Sequence, residues 1–407
     1  MPPPHPRRSR RASLLAALCS GALLAGATIT HAAPAAAQPS DAECSPNTGG
    51  TGGPSWTDHA ELERELDRLA RQRSDVLDVA EIGTSNQGRE LWSVTVGSGP
   101  RTMLVVSEIH GNEKSGTEAI LSLLRSMSGN SPQARELRDQ VTLVAVPKMN
   151  PDGSELDRRG NDRTWDDVVA DFPHLEGAEP AWNYYDDELQ GHDYAQAPGF
   201  DVNRDFHPDL DYTPQAADFP GESAEPGWYI QPEAQAVRDL YQSLDAEQGG
   251  VDAFVDLHHQ GPCYLDEDGE NWVNMSLSAD FVPDPSTPEG ADYAEYADDF
   301  NFDLSRQLNV AAYDALDTYG NSPFGSTTLY PQGLDLPGTA LGAFSLNGSG
   351  VVLFEIRGQT QSWGARQRGQ LVTTVERGLQ GMINQLADGS VTDIDPERYH
   401  DIPETMR

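Results

Sequence analysis

Hydrophobic positions along this chain fall into two kinds of run. Met103–Ile109, Val141–Val146, Val251–Leu257 and Val351–Ile356 are short and nearly unbroken, the pattern of strands buried on both faces. Between them apolar residues recur at helical spacing. Leu62, Leu66 and Leu69 follow an N-capping Asp58, and Thr117–Met127 forms a second such run. Ala236, Val237, Leu240 and Leu244 follow Gln231-Pro232-Glu233; Leu304, Leu308 and Ala312 form a further stripe, and Val372–Leu386 the last. Val76–Val79 and Leu91–Val96 alternate like strands around the turn-rich Gly83–Gly88. The order strand, helix, strand from Met103 to Val146 predicts a parallel pair in a sheet covered on both faces.

Two acidic stretches, 164–199 and 266–295, lack either period and read as irregular insertions, and Asn150–Gly153 reads as a turn. No repeat or internal break appears, so residues 56–387 are expected to form one catalytic domain, with 388–407 a short polar tail. At the other end, Arg7, Arg8, Arg10 and Arg11 precede an apolar stretch, Ala12–Ile29, and small residues ending Ala35-Ala36-Ala37. This is the pattern of a secretory signal cleaved after Ala37, followed by a flexible linker over 38–55. Nothing later resembles a spanning helix, so a secreted, extracellular protein without membrane attachment after signal cleavage is expected. A monomer is the expected state.

Charge narrows the partners. The formal net charge is −38, and loss of residues 1–37, which hold four Arg and no acids, takes it to −42. Such an excess excludes simple nucleic-acid binding and disfavours anionic lipid surfaces. It also implies self-repulsion that salt screens, so adaptation to a salty medium is an expectation. Of the three cysteines Cys19 lies in the signal, which leaves Cys44 and Cys263 to form one disulfide in an oxidising compartment or to remain two thiols.

The chemistry centres on V-V-S-E-I-H-G-N-E-K-S-G, residues 105–116, where a buried strand gives way to a helix. His110 and Glu113, three apart in a tight turn, can grip one cation, and imidazole with carboxylate suits Zn²⁺. A catalytic zinc needs a third protein ligand, and D-L-H-H at 256–259 ends another buried strand; His258 is preferred there over His259. Glu355 interrupts the apolar strand V-V-L-F-E-I. A buried carboxylate needs a reason, either action as general base on water or a salt bridge to Arg357. In D-V-N-R-D-F, residues 201–206, Asn203 and Arg204 can clamp a carboxylate, which guanidinium does bidentately, or Arg204 can form an ordinary ion pair.

Together these segments resemble the zinc carboxypeptidases of the carboxypeptidase A/B type, the funnelins, in the form of a secreted bacterial-like member. The likeness runs from about Trp56 to Leu386 through E-I-G-x-S-x-x-G-R (81–89), H-G-N-E (110–113), N-P-D-G (150–153), D-x-N-R (201–204), D-x-H (256–258) and F-E-x-R (354–357). It implies an α/β fold with a mixed, largely parallel central sheet and helices on both faces. It also implies one Zn²⁺ held by His110, Glu113 and His258, with Glu355 as the general base that activates water. Asn203 and Arg204 would hold the terminal carboxylate, Asp201 would orient His110, and Tyr330 would be the mobile substrate-contacting tyrosine. Arg159 is the match for the arginine that polarises the scissile carbonyl, with Arg158 and Arg163 as rivals. Leu334, Leu336, Pro337 and Leu341 suggest an apolar or aromatic C-terminal side chain, Asp335 being the exception. The implied activity is removal of the last residue from peptide or protein C-termini. Alternatives on the same metal site are a murein peptide amidase or endopeptidase and an aspartoacylase-type deacylase, the latter disfavoured by F-E-I-R-G; a catalytically inactive binding protein is the alternative from another class.

Overall fold

A computed structural model of the chain describes residues 56–185, 198–317, 325–358 and 365–406, all within one compact unit. Eight strands form its central sheet. They are β1 (Leu77–Thr84), β2 (Glu90–Val96), β3 (Arg101–Ser107), β4 (Val141–Val146), β5 (Ala253–Gln260), β6 (Val273–Ser278), β7 (Ser326–Leu329) and β8 (Gly350–Arg357). Their order across the sheet is β1-β2-β4-β3-β5-β8-β6-β7. The central run β4-β3-β5-β8 is parallel, as is β6-β7, whereas β1-β2, β2-β4 and β8-β6 are antiparallel. The sheet is therefore mixed and largely parallel, as the resemblance implies.

Strand alternation sends side chains to two cores. On one face Met103, Val105, Val255 and Phe354 pack with α1 (His59–Gln72), α2 (Ser115–Met127) and residues of two later helices, Phe302–Asp317 and Ala365–Asp388. On the other, Leu104, Val106, Phe254 and Leu353 meet Val237 and Tyr241 of the helix Pro232–Gln248 and Phe344 of Ala340–Leu346. Helices thus cover both faces, which is what near-continuous apolar strands require. The first helix starts where the pattern places it: Asp58 accepts a bond from Glu61 N at 2.7 Å, and Glu61 closes a capping box.

Three stretches differ from their sequence reading. Asn150–Gly153 is a turn that continues into a helix, Pro151–Leu156, with the Asn150 side chain accepting Gly153 N at 2.8 Å. The stretch 164–199 contains the seven-residue helix Trp165–Asp171, opened by a Thr164–Asp167 capping box, too short to show a period. Val168, Leu175, Phe200, Phe219 and Trp228 build a satellite core with it. The stretch 266–295 supplies β6, an interior strand buried along its whole length. Its sequence, V-N-M-S-L-S, alternates like a half-exposed strand, but Ser276 is covered by Gln260, Thr328 and Thr405, which hydrogen-bond its hydroxyl. That cover comes from distant parts of the chain. The segment after Asp388 docks through Tyr399 and Ile402, and Thr405–Met406 pairs with Leu265–Asp266.

Among the described residues no helix is long and apolar enough to cross a membrane. The expected signal at 1–37 and Cys44 lie outside the described residues, while Cys263 is disulfide-bonded.

Candidate active site

The carboxyl ends of β3, β5 and β8 meet at one cavity of about 190 Å³, where an open α/β sheet places its ligands. His110, Glu113, Arg159, Asn203, Arg204, His258, Tyr330 and Glu355 all line it. Asp201, the remaining expected residue, stands behind His110.

His110 and Glu113 lie in the turn between β3 and α2. This turn packs so closely that a side chain at Gly111 would fall 2.0 Å from the carbonyl carbon of Gly153. The glycines of H-G-N-E and N-P-D-G therefore pack against one another. His258 comes from β5, and its Nδ1 lies 3.0 Å from His110 Nδ1 and 2.9 Å from Glu113 Oε2. His110 Nδ1 is 3.1 Å from the same Glu113 oxygen, so two imidazole nitrogens and one carboxylate oxygen converge.

The outer nitrogen of each histidine meets a carboxylate. His110 Nε2 lies 3.2 Å from Asp201 Oδ1, and His258 Nε2 lies 2.8 Å from the fully buried Asp256. This arrangement selects the tautomer that turns Nδ1 inward, as in metal-bound histidine, and the donor set fits zinc. Burial raises the Glu113 carboxyl, but His110 and His258 outweigh it and hold the group well below its ordinary range. His258 is lowered by burial and raised further by Asp256, with a net shift well upward. His259 is placed differently. Its Nδ1 faces Gly358 O at 2.5 Å, and its Nε2 accepts from Ser115 N at 3.1 Å, so both ring nitrogens are engaged away from the triad.

The three candidate arginines separate. Arg158 is buried, donates to Pro198 O and lies over the Tyr185 ring. Arg163 bonds Ile230 O and Asp171. Arg159 enters the cavity: its Nε and Nη2 donate to Asp201 Oδ2 at 3.0 and 2.9 Å, and its Nη1 lies 3.9 Å from Glu113 Oε1. Burial lowers the Arg159 guanidinium, but Asp201 and Glu113 raise it beyond its ordinary value. Arg204 is lowered by burial, opposed by Asp201. It donates to Asn203 O, while the Asn203 amide spans from His258 Nε2, at 3.2 Å, to Ala340 N, at 3.0 Å. Arg357 turns to Pro262 O at 2.8 Å and lies over Trp272. Apolar cover comes from Phe281, Leu334, Leu336, Leu341 and Leu353, and Asp335 is held by Tyr293 Oη at 2.7 Å.

The family model described as zinc carboxypeptidase matches residues 62–284, more than half of the chain. The chain belongs to the zinc carboxypeptidase family. Among relatives, mouse carboxypeptidase M is 34% identical over 104 residues, covering 23% of this chain and 24% of its own length. Carboxypeptidase E of Caenorhabditis elegans is 30% identical over 167 residues, covering 38% of this chain and 30% of its own. The matched region therefore spans less than a third of these relatives' length. In fold, this zinc carboxypeptidase chain is similar to carboxypeptidase A from Helicoverpa armigera, with TM-score 0.54 and 15% identity over 83% of this chain and 75% of that one.

Two features of the site escaped the sequence reading. Asp256 stands in the D-x-H strand, and the signal for its contact with His258 is an acid inside an apolar run, two positions from a histidine and hence on the same strand face. Phe281, on the cavity wall, lies in a stretch that reads as an insertion.

Proposed function

We propose that this zinc carboxypeptidase family member is a secreted enzyme that hydrolyses the C-terminal peptide bond of peptides. The observation that carries the reading is the convergence of the His110–Glu113–His258 group, Glu355, Arg159 and the Arg204 guanidinium on one cavity. His110, Glu113 and His258 would hold the zinc. Bound zinc supplies Lewis acidity, which makes water more acidic and a carbonyl more electrophilic.

The chain's own groups account for the rest. Glu355 takes the proton from the attacking water and returns it to the leaving amine, a general acid–base role. Arg159, held by Asp201, faces the charge that develops on the carbonyl oxygen. Arg204 and the Asn203 amide receive the terminal carboxylate, which restricts cleavage to the last bond. Tyr330 covers the bound residue. Phe281, Leu334, Leu336 and Leu341 receive its side chain, and because Asp335 is engaged by Tyr293, an apolar or aromatic residue is favoured over a basic one. Residues 1–37 would direct export, 56–387 form the catalytic domain, and the disulfide at Cys263 accords with an oxidising compartment.

The test is a panel of N-blocked peptides with free or amidated C-termini, offered to the zinc-loaded protein. Release of single residues from free-acid peptides alone, abolished by a chelator, is the expected result. Cleavage that ignores the terminal carboxylate would replace this reading with an endopeptidase or murein amidase and leave Arg204 an ordinary ion-pairing residue.

A further inference from the structure

Lys114 and Lys148 are the only lysines in a sequence whose other basic residues are arginines. Both reach the same short part of the molecule. Lys148, which follows β4 and is fully buried, places Nζ 2.6 Å from Glu108 Oε2 and 2.7 Å from Ser154 Oγ. Lys114, at the N-terminus of α2, places Nζ 2.9 Å from Asp157 Oδ1. One pair begins the turn that carries His110 and Glu113, and the other ends it. Each pair crosses to the 148–157 segment, which runs directly into Arg159.

The two acids share a second property. Glu108 and Asp157 adopt left-handed backbone, with φ of 56° and 54°, a conformation that non-glycine residues avoid. Tyr229 is the one other such residue among those described. Asp157 takes this conformation as the cap that ends the helix Pro151–Leu156, its N–H bonding Gly153 O and Ser154 O, whereas Glu108 is held there by its side-chain pair with Lys148. Glu108 also receives the Thr117 hydroxyl, and its carbonyl accepts Asn150 N at 2.9 Å. The Asn150 amide donates to Ile109 O at 3.2 Å, and Gly111 N donates to Arg159 O at 3.2 Å. The turn is thus stitched to the Arg159 segment along its length, with an ion pair at each end.

We infer that Lys148 and Lys114 are positioning residues, which fix the His110–Glu113 turn relative to Arg159 by pairing with Glu108 and Asp157. The inference rests on the functional reading above for the roles of His110, Glu113 and Arg159. Its physical basis is that a turn holding Glu108 in an avoided conformation relaxes once the contacts that over-determine it are removed. Relaxation would move His110 Nδ1 and Glu113 Oε2 relative to each other and to Arg159, and loss of supporting contacts typically lowers metal affinity or activity by about 10- to 100-fold.

Lys148→Met alone would strand a buried Glu108 charge and is expected to unfold. The test therefore uses Lys148→Met with Glu108→Gln, which removes both charges, and separately Lys114→Met with Lys114→Arg as its conservative control. Zinc affinity is measured by chelator competition and turnover on a free-acid peptide, with circular dichroism to establish folding. Zinc affinity in the double variant should fall about 10-fold or more, and kcat should fall with KM unchanged to within about twofold. Lys114→Met should shift both in the same direction by less, and Lys114→Arg should restore them. Folded variants that keep parental zinc affinity and kcat, even with a lower melting temperature, would overturn the inference. Should the double variant not fold, Lys114→Met decides by the same criteria. The parent and His110→Ala are measured first. A parent that holds no zinc through His110 would show that the functional reading has failed, and the positioning role would fall with it.

Discussion

Glu355 on β8 is in parallel register with His258 on β5. Paired residues of neighbouring strands face the same side of a sheet, so the proposed base and a proposed zinc ligand are placed together by backbone pairing alone. Ser276 of β6 pairs with Glu355 from the other side, which fixes this position from both neighbours.

Glu355→Gln keeps the shape of the side chain and removes its basicity. The variant should retain zinc at the parent's stoichiometry while kcat falls by about 100- to 10,000-fold, the range for general acid–base groups. Metal analysis together with steady-state kinetics measures both, and a Gln variant with near-parental turnover would remove Glu355 from the mechanism.

Arg159→Met and Arg163→Met should separate two arginines close in sequence. Loss of Arg159 should lower kcat about 100- to 1,000-fold, the scale for one oxyanion donor. Arg163 ties Ile230 O to Asp171, so its loss should lower the denaturant midpoint and spare kcat. Equal catalytic losses in the two variants would contradict this division.

Glu233 offers a pH test away from the zinc ligands. Burial pushes its carboxyl up to about 8, and Asp152 adds to the shift. The folded state then keeps a proton that the unfolded chain releases near its ordinary value of 4.5, so folding is favoured below that pH and loses stability as pH rises towards about 8. Glu233→Gln retains the acceptor for Asn161 and should flatten this decline, by on the order of 5 kcal/mol across the window. Urea midpoints at both ends of the window, compared with the parent, give the answer; equal slopes would contradict it.

A chain at −38 should gain stability from added NaCl, because screening acts on the net repulsion. Melting temperature is expected to rise between low and molar salt. A flat or falling curve would show that local ion pairs, such as Arg398–Asp314, offset the global repulsion.

Much of the site was legible because its parts are local. His258 and Glu355 lie within buried strands and His110 closes an apolar run with Glu113 three positions on, and titratable groups so placed stand out against the apolar residues around them. The parallel core was legible for the same reason, since doubly covered strands are continuous in hydrophobicity. Less visible were elements whose character comes from partners far away. β6 is interior because Gln260, Thr328 and Thr405 cover its serine, and Trp165–Asp171 is helical with a core assembled from residues up to Trp228.

The sequence by itself determined the buried strands of the parallel core and the helices between them, the metal-binding residue types and the excess of acidic residues, because these depend on spacing and composition. Tertiary structure decided the choices between neighbours. His258 rather than His259 faces the triad because Ser115 and Gly358 engage the latter. Arg159 rather than Arg158 or Arg163 enters the cavity because Asp201 draws it there. Adjacent residues share composition and nearly share position, so only the direction of each side chain, set by contacts from remote segments, tells them apart.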